Sequence, residues 1–149
     1  MIDLIKFYEE ASGKTKAHAW AQLTWVLAVN GAILAFSLKF FIEQMKMPGA
    51  IALIWGMAVA GLILSGYLIY VLKELGRHLR GYWACADRAA RMSTDLAEII
   101  RPDPPSASTK IPAFMKRLMW PPALFALSHV VWAIGASYYQ VHYVSAAPL

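Results

Sequence analysis

Three polar side chains, Asn30, Ser37 and His129, occur in stretches of sequence that are otherwise almost wholly apolar. Asn30 and Ser37 are seven residues apart, so they share one side of a helix. In a ring of subunits, that side would line an opening with one amide and one hydroxyl from each subunit. Alternatively, Asn30 forms a hydrogen bond with Ser128 or His129 and holds two helices together. For His129, an ionisable group in an apolar segment, a packed, hydrogen-bonded role and a proton-relay role are both open.

The remaining polar residues do not indicate enzyme chemistry. The sequence has no serine–histidine–aspartate arrangement, no carboxylate pair and no cluster with metal-ligand spacing. Intramembrane haem would need two histidines at one depth on different helices, and only His129 lies deep in an apolar segment. The stretch SGKTK lacks the upstream glycine of a phosphate-binding loop. We therefore predict a non-enzymatic protein without a metal or cofactor.

Three long apolar segments must position these polar side chains. Of the 149 residues, 59% are hydrophobic and only 15% are charged, whereas soluble domains carry about a quarter charged residues. A helix needs about 20 apolar residues to cross the hydrocarbon core of a bilayer. Segments of that length cover residues 23–41, 51–72 and 118–144. The sequence thus predicts an all-α polytopic membrane protein with three transmembrane helices and a long cytoplasmic helix.

The lysines and arginines predict the orientation of these spans. Three precede the first span, nine lie between the second and third spans, and none follows the third span. Basic residues near span ends are retained on the cytoplasmic side. We therefore predict a membrane protein with a cytoplasmic N-terminus and an external C-terminus.

Five segments follow from this topology. They are a cytoplasmic amphipathic helix (1–22), a transmembrane hairpin (23–72), a cytoplasmic charged helix with a proline-rich linker (73–117), the third span (118–144) and an external tail (145–149).

The charged helix carries apolar or small residues at alternating spacings of four and three, which is typical of a seam that packs against other helices. The seam consists of Leu75, Leu79, Tyr82, Ala86, Ala89, Ser93, Leu96 and Ile100. It can pack on the N-terminal helix of its own chain, pack between subunits, or lie on anionic lipid.

Small residues recur four apart within the first two spans. The set comprises Gly31, Ala35, Gly56, Ala60, Gly61 and Ser65. In lipid, faces of small residues let helices approach one another closely. Two such faces exceed what a three-span monomer needs, so we predict a homo-oligomer that packs through them.

The layout resembles the SLATT-type group of small multi-span effector proteins in bacterial anti-phage systems. The similar stretch runs from Phe7 to Ile100, about two thirds of the chain, with the lead YEEASGKTKAHAW, a tight two-span hairpin and a long charged helix. What the resemblance implies is an oligomer that disrupts the membrane or forms a pore, switched on by a partner that senses infection.

Two functions follow as hypotheses. The first is a homo-oligomeric inner-membrane effector in anti-phage defence, which forms a pore or disrupts the membrane when a partner triggers it. The alternative is a non-catalytic membrane anchor or assembly subunit that recruits a cytoplasmic partner. The expected partners are the lipid bilayer, further copies of the chain and a cytoplasmic sensor or defence protein, without direct contact to nucleic acid.

The orientation is testable with a reporter that is active only in the periplasm. Fused after Leu149, the reporter should be active, and inserted in the 101–112 linker it should be silent, because nine basic residues hold that segment in the cytoplasm. The opposite pattern of reporter activity would overturn the predicted topology.

Overall fold

The computed structural model of the chain describes residues 2–44, 47, 49–91 and 112–144. Four α-helices and one π-helical segment contain nearly all of these residues. The helices are α1 (Ile2–Gln44), α2 (Ala50–Arg91), α3 (Ala113–Leu118) and α4 (Trp120–Tyr139), followed by the π-helical segment Gln140–Val144. The predicted all-α fold class is confirmed.

Three stretches of helix are long and apolar enough to cross a membrane: Asp3–Gln44, Ala50–Ala89 and Ala113–Tyr143. They are compatible with membrane insertion, as the three predicted spans require. The orientation and the cytoplasmic position of the charged helix stay predictions. The proline-rich linker, the external tail and the seam positions Ser93, Leu96 and Ile100 lie outside the described residues.

Helix α1 joins the predicted N-terminal helix and the first span without a break. It contains no proline and only two glycines, Gly13 and Gly31, so nothing in its sequence interrupts the backbone hydrogen bonds. Its buried positions recur three, four or seven residues apart and form one stripe along the helix. They are Ser12, Ala19, Leu23, Val26, Asn30 and Ser37.

The turn after α1 depends on a glycine. Gly49 has a φ of +83°, in the left-handed region of backbone conformation that residues with a side chain rarely adopt. Its neighbour Ala50, where α2 begins, donates its N–H to the carbonyl of Met47 at 3.1 Å. The tight turn of the predicted hairpin thus includes Gly49, and Pro48 beside it lies outside the described residues.

Helix α2 continues through Lys73, where the sequence changes from apolar to charged, and ends at Arg91 in the described part of the chain. Within the seam predicted for this segment, Leu79 and Ala89 are buried and Leu75, Tyr82 and Ala86 are partly buried. The seam is therefore packed within the chain itself as far as Ala89.

The third predicted span begins with a short break in the helix. Met119 separates α3 from α4, and the N–H of Ala123 still reaches the carbonyl of Met119 at 3.3 Å. Pro121 and Pro122 lie in the first turn of α4. Their missing N–H groups would have had no partner within the helix at that position, so the prolines are tolerated.

The chain divides into two compact units. The first, called here the basic unit, comprises Met1–Gln22 and Tyr70–Leu118, and the second, the apolar unit, comprises Leu23–Ile69 and Met119–Leu149. The described residues of the basic unit include ten Lys and Arg against five Asp and Glu, a net charge of +5. Those of the apolar unit include one lysine and one glutamate, which form an ion pair, Lys39–Glu43, at 3.9 Å.

The apolar unit is built around small residues that let the helices approach. Its buried cluster consists of Ile54 and Ala58 from α2 with Ala133 and Ala136 from α4. Partly buried aromatic rings cover the cluster, and Phe41 lies edge-on to Trp132 with ring centroids 5.1 Å apart. This packing holds α1, α2 and α4 together around the polar residues described next.

Candidate functional site

The centre of the apolar unit is a hydrogen bond between two buried polar side chains. His129 Nε2 of α4 lies 3.0 Å from Asn30 Oδ1 of α1. Asn30 is 0% exposed and His129 is 1% exposed. In a bilayer, water does not compete for these groups, so leaving either one unpaired would be costly. Each side chain therefore needs the other to be tolerated at this depth.

The Asn30 amide also fixes which ring nitrogen of His129 carries a proton. Asn30 Nδ2 donates to the carbonyl of Val26, one turn earlier on α1, at 3.1 Å. The amide oxygen is thereby turned towards His129, and an oxygen can only accept. His129 Nε2 must then be protonated and donate the hydrogen bond, which in the neutral imidazole leaves Nδ1 as an acceptor.

Gly61 of α2 leaves room for the imidazole ring of this pair. A β-carbon built at Gly61 would overlap the imidazole ring of His129. Gly61 is itself buried, so α2 approaches the ring with bare backbone. Asn30, Gly61 and His129 therefore form one contact to which α1, α2 and α4 each contribute a residue.

Two tryptophans satisfy the remaining polar groups towards the other end of the apolar unit. The indole N–H of Trp132 donates to Ser37 Oγ at 2.8 Å, and that of Trp55 donates to Ser137 Oγ at 3.0 Å. The hydroxyl of Ser137 in turn donates a hydrogen bond to the carbonyl of Ala133 at 2.8 Å. Neither partner follows from the sequence pattern alone, although Trp132 lies three residues after His129 and thus near the same side of α4.

The structure separates the predicted site residues into two groups. Asn30, Ser37, His129, Gly61 and Ser65 are buried within the chain. Asn30 forms the hydrogen bond to His129 that the sequence offered as the alternative to a pore-lining position. Ser128, the other partner considered, is exposed and donates to the carbonyl of Leu124 at 2.9 Å. The pore-lining position itself stays a prediction.

The second group faces outwards. Ala35, Gly56 and Ala60 are exposed, and Gly31 is partly buried. β-Carbons built at Gly31 and Gly56 would meet nothing within 4 Å. These positions remain open to another helix, whereas Gly61 contacts His129 within its own chain. Packing between subunits stays a prediction for the whole set.

Ser65 differs from the other buried polar residues. It lies one turn after Gly61 on α2 and is fully buried, and its Oγ has no hydrogen-bond partner among the described residues. The other buried polar side chains of the apolar unit are each bonded.

The basic unit contains a similar contact between two helices. The indole N–H of Trp83 on α2 donates to Ser12 Oγ on α1 at 3.1 Å, and Ser12 is buried. Ser12 opens the stretch SGKTK, and its hydroxyl acts here in helix packing. Among the described residues, no three His, Cys, Asp or Glu side chains come close enough together to hold a metal ion.

No protein-family model, curated protein or solved structure matches the chain. The contacts described above form a hydrogen-bonded junction between helices.

The fit of Gly61 against His129 predicts opposite effects of two glycine substitutions. Gly61→Ala should lower the free energy of unfolding by about 1–3 kcal/mol, because the added methyl group overlaps the imidazole ring. Gly31→Ala, where the space is open, should leave stability unchanged or raise it by up to about 1 kcal/mol. Reversible unfolding of both variants in the same detergent measures the difference, and equal effects would contradict the close contact.

The Asn30–His129 bond should appear as a coupling energy. In a double-mutant cycle of Asn30→Ala and His129→Ala, we expect a coupling of about 0.6 kcal/mol and no more than about 1.7, the range found for such bonds in membranes. The control cycle pairs Asn30→Ala with Ser128→Ala, whose hydroxyl bonds its own helix, and should show no coupling. Equal coupling in both cycles would argue against a specific bond.

Proposed function

We propose that the protein is a non-enzymatic membrane anchor or assembly subunit. The apolar unit holds it in the bilayer, and the basic unit recruits a cytoplasmic partner. One observation carries the proposal: Asn30, Ser37 and His129 are each no more than 1% exposed and each is hydrogen-bonded within the chain. These contacts suit a stable bundle whose polar groups serve its own assembly.

A group that lines a pore must be exposed to the opening, because it replaces or contacts the hydration shell of the ion. Each of the three polar side chains already has a partner on another helix of the same chain. Many outward-facing positions on α2 and α4 carry large apolar side chains instead, among them Leu53, Ile63, Leu124 and Val131. Such surfaces suit contact with lipid tails.

The basic unit is the part suited to a polar partner. It carries the whole net charge of the described residues, and most of its lysines and arginines are exposed. Electrostatic complementarity of this kind speeds association and selects acidic partners. An acidic surface on a cytoplasmic protein is the chemistry we assign to the partner.

The homo-oligomeric effector is the second candidate, and a specific observation favours it. Gly56 and Ala60 are exposed one turn apart on α2, and a β-carbon at Gly56 or Gly31 meets nothing within 4 Å. Outward-facing small residues suit close packing with a helix of another subunit. The layout that resembles the SLATT-type anti-phage effectors is consistent with this candidate.

Cys85 allows one experiment to separate the two candidates. It is the chain's only cysteine and it is exposed on α2. A membrane-permeant thiol-to-amine cross-linker is added to native host cells, and membrane potential is recorded in the same cells. If the protein is an anchor, it should form an adduct with the same second protein in repeated experiments, and the membrane potential should stay unchanged. The Cys85→Ser variant should form no adduct.

The effector predicts a different outcome. Its adducts should fall at multiples of the 16.6 kDa chain mass, and the membrane should depolarise when the genomic neighbours are induced. Depolarisation together with self-adducts alone would reject the anchor and support the effector.

A further inference from the structure

An aromatic pair, exposed at Trp20 and partly buried at Phe114, joins α1 to α3 within the basic unit. The rings of Trp20 and Phe114 lie with centroids 6.1 Å apart, at an interplanar angle of 59°. Trp20 is 51% exposed despite this contact. A large indole that stays half exposed, beside a second ring, offers an amphipathic surface rather than a closed core.

Each ring of this pair has a cation near it along its own helix. Lys16 lies one turn before Trp20 on the same side of α1, and Arg117 lies three residues after Phe114 on the same side of α3. Both are exposed. Lys16 Nζ also lies over the ring of Trp83, 5.6 Å from its centroid, which ties this side chain to α2. We call Lys16, Trp20, Trp83, Phe114 and Arg117 the interfacial patch.

The charges of the interfacial patch are not neutralised within the described part of the chain. Neither Lys16 nor Arg117 has a carboxylate within 4.0 Å there. In the basic unit the described ion pairs involve Glu74, which contacts Arg77 at 2.6 Å and His78 at 3.9 Å. Two positive charges beside exposed aromatic rings are therefore available to an anion.

The sequence puts this patch at the edge of the membrane. Trp20 precedes the predicted first span by three residues, and Arg117 directly precedes the predicted third span. Tryptophan, lysine and arginine at such positions lie at the level of lipid headgroups. The anion that this region meets at the highest local concentration is the phosphate of an acidic lipid.

We propose that the interfacial patch binds the headgroup of an anionic glycerophospholipid. Arg117 offers paired N–H donors to the phosphate, and Lys16 adds a second positive charge. The aromatic pair covers the glycerol region of the lipid. This inference does not depend on whether the protein is an anchor or an effector.

The test uses the full chain, purified in neutral detergent and titrated with lipid under native mass spectrometry. Phosphatidylglycerol should bind more tightly than zwitterionic phosphatidylcholine, and soluble glycerol phosphate should not compete at equal concentration. In the double variant Lys16→Gln, Arg117→Gln, binding should weaken about five-fold per charge removed, roughly 25-fold in all. The preference for phosphatidylglycerol should then disappear.

A matched control separates the patch from diffuse charge. Lys6→Gln with Arg88→Gln removes two exposed charges from the same unit, and it should weaken binding less than two-fold. Lys16→Arg with Arg117→Lys keeps both charges and should retain most of the binding, which guards against misfolding as the cause. Equal loss in the patch and control variants, no preference for the anionic lipid, or displacement by glycerol phosphate would each overturn the proposal.

Discussion

The hydrogen bond from His129 to Asn30 is the interaction on which the apolar unit depends. Both groups lie in segments where water does not compete, so each must find its partner inside the protein. The bond requires α1 and α4 to face each other at one level, and it requires α2 to offer bare backbone at Gly61 because a side chain there would overlap the ring. One polar contact thus sets the rotation of three helices.

The tryptophan–serine hydrogen bonds between helices follow the same need for a partner inside the protein. An indole has a single donor and a large apolar ring, so one hydroxyl satisfies it while the ring fills space. In the apolar unit, Trp132 donates to Ser37 and Trp55 to Ser137; in the basic unit, Trp83 donates to Ser12. Each bond joins two different helices. Such pairs fix how each helix is rotated against its neighbour, which apolar contacts alone do not.

This arrangement decides which surfaces are left for partners. Asn30, Ser37 and His129 are turned inwards, so the outward surface of the apolar unit offers large apolar side chains and the small residues Gly56 and Ala60. The basic unit offers exposed cations, including Lys16 and Arg117. An anchor that recruits an acidic partner uses the second surface, and an oligomeric effector uses the first. Both uses are open to the same fold because neither disturbs the buried hydrogen bonds.

The sequence by itself determined the features that depend on local chemistry. Three apolar segments of sufficient length predict three membrane-capable helices, Pro121 and Pro122 are confined to a first helical turn, and Gly49 marks the turn before α2. Each follows from residues that are close in the chain.

Only the tertiary structure decided that Asn30 bonds His129 rather than Ser128. It also decided that Gly61 leaves room for the ring of His129. Helical periodicity tells which residues share a side, as Asn30 and Ser37 do, but the direction of that side depends on how each helix is rotated against the others. That rotation is set by contacts between residues up to 99 positions apart, as between Asn30 and His129. A pattern within a single helix does not contain this information.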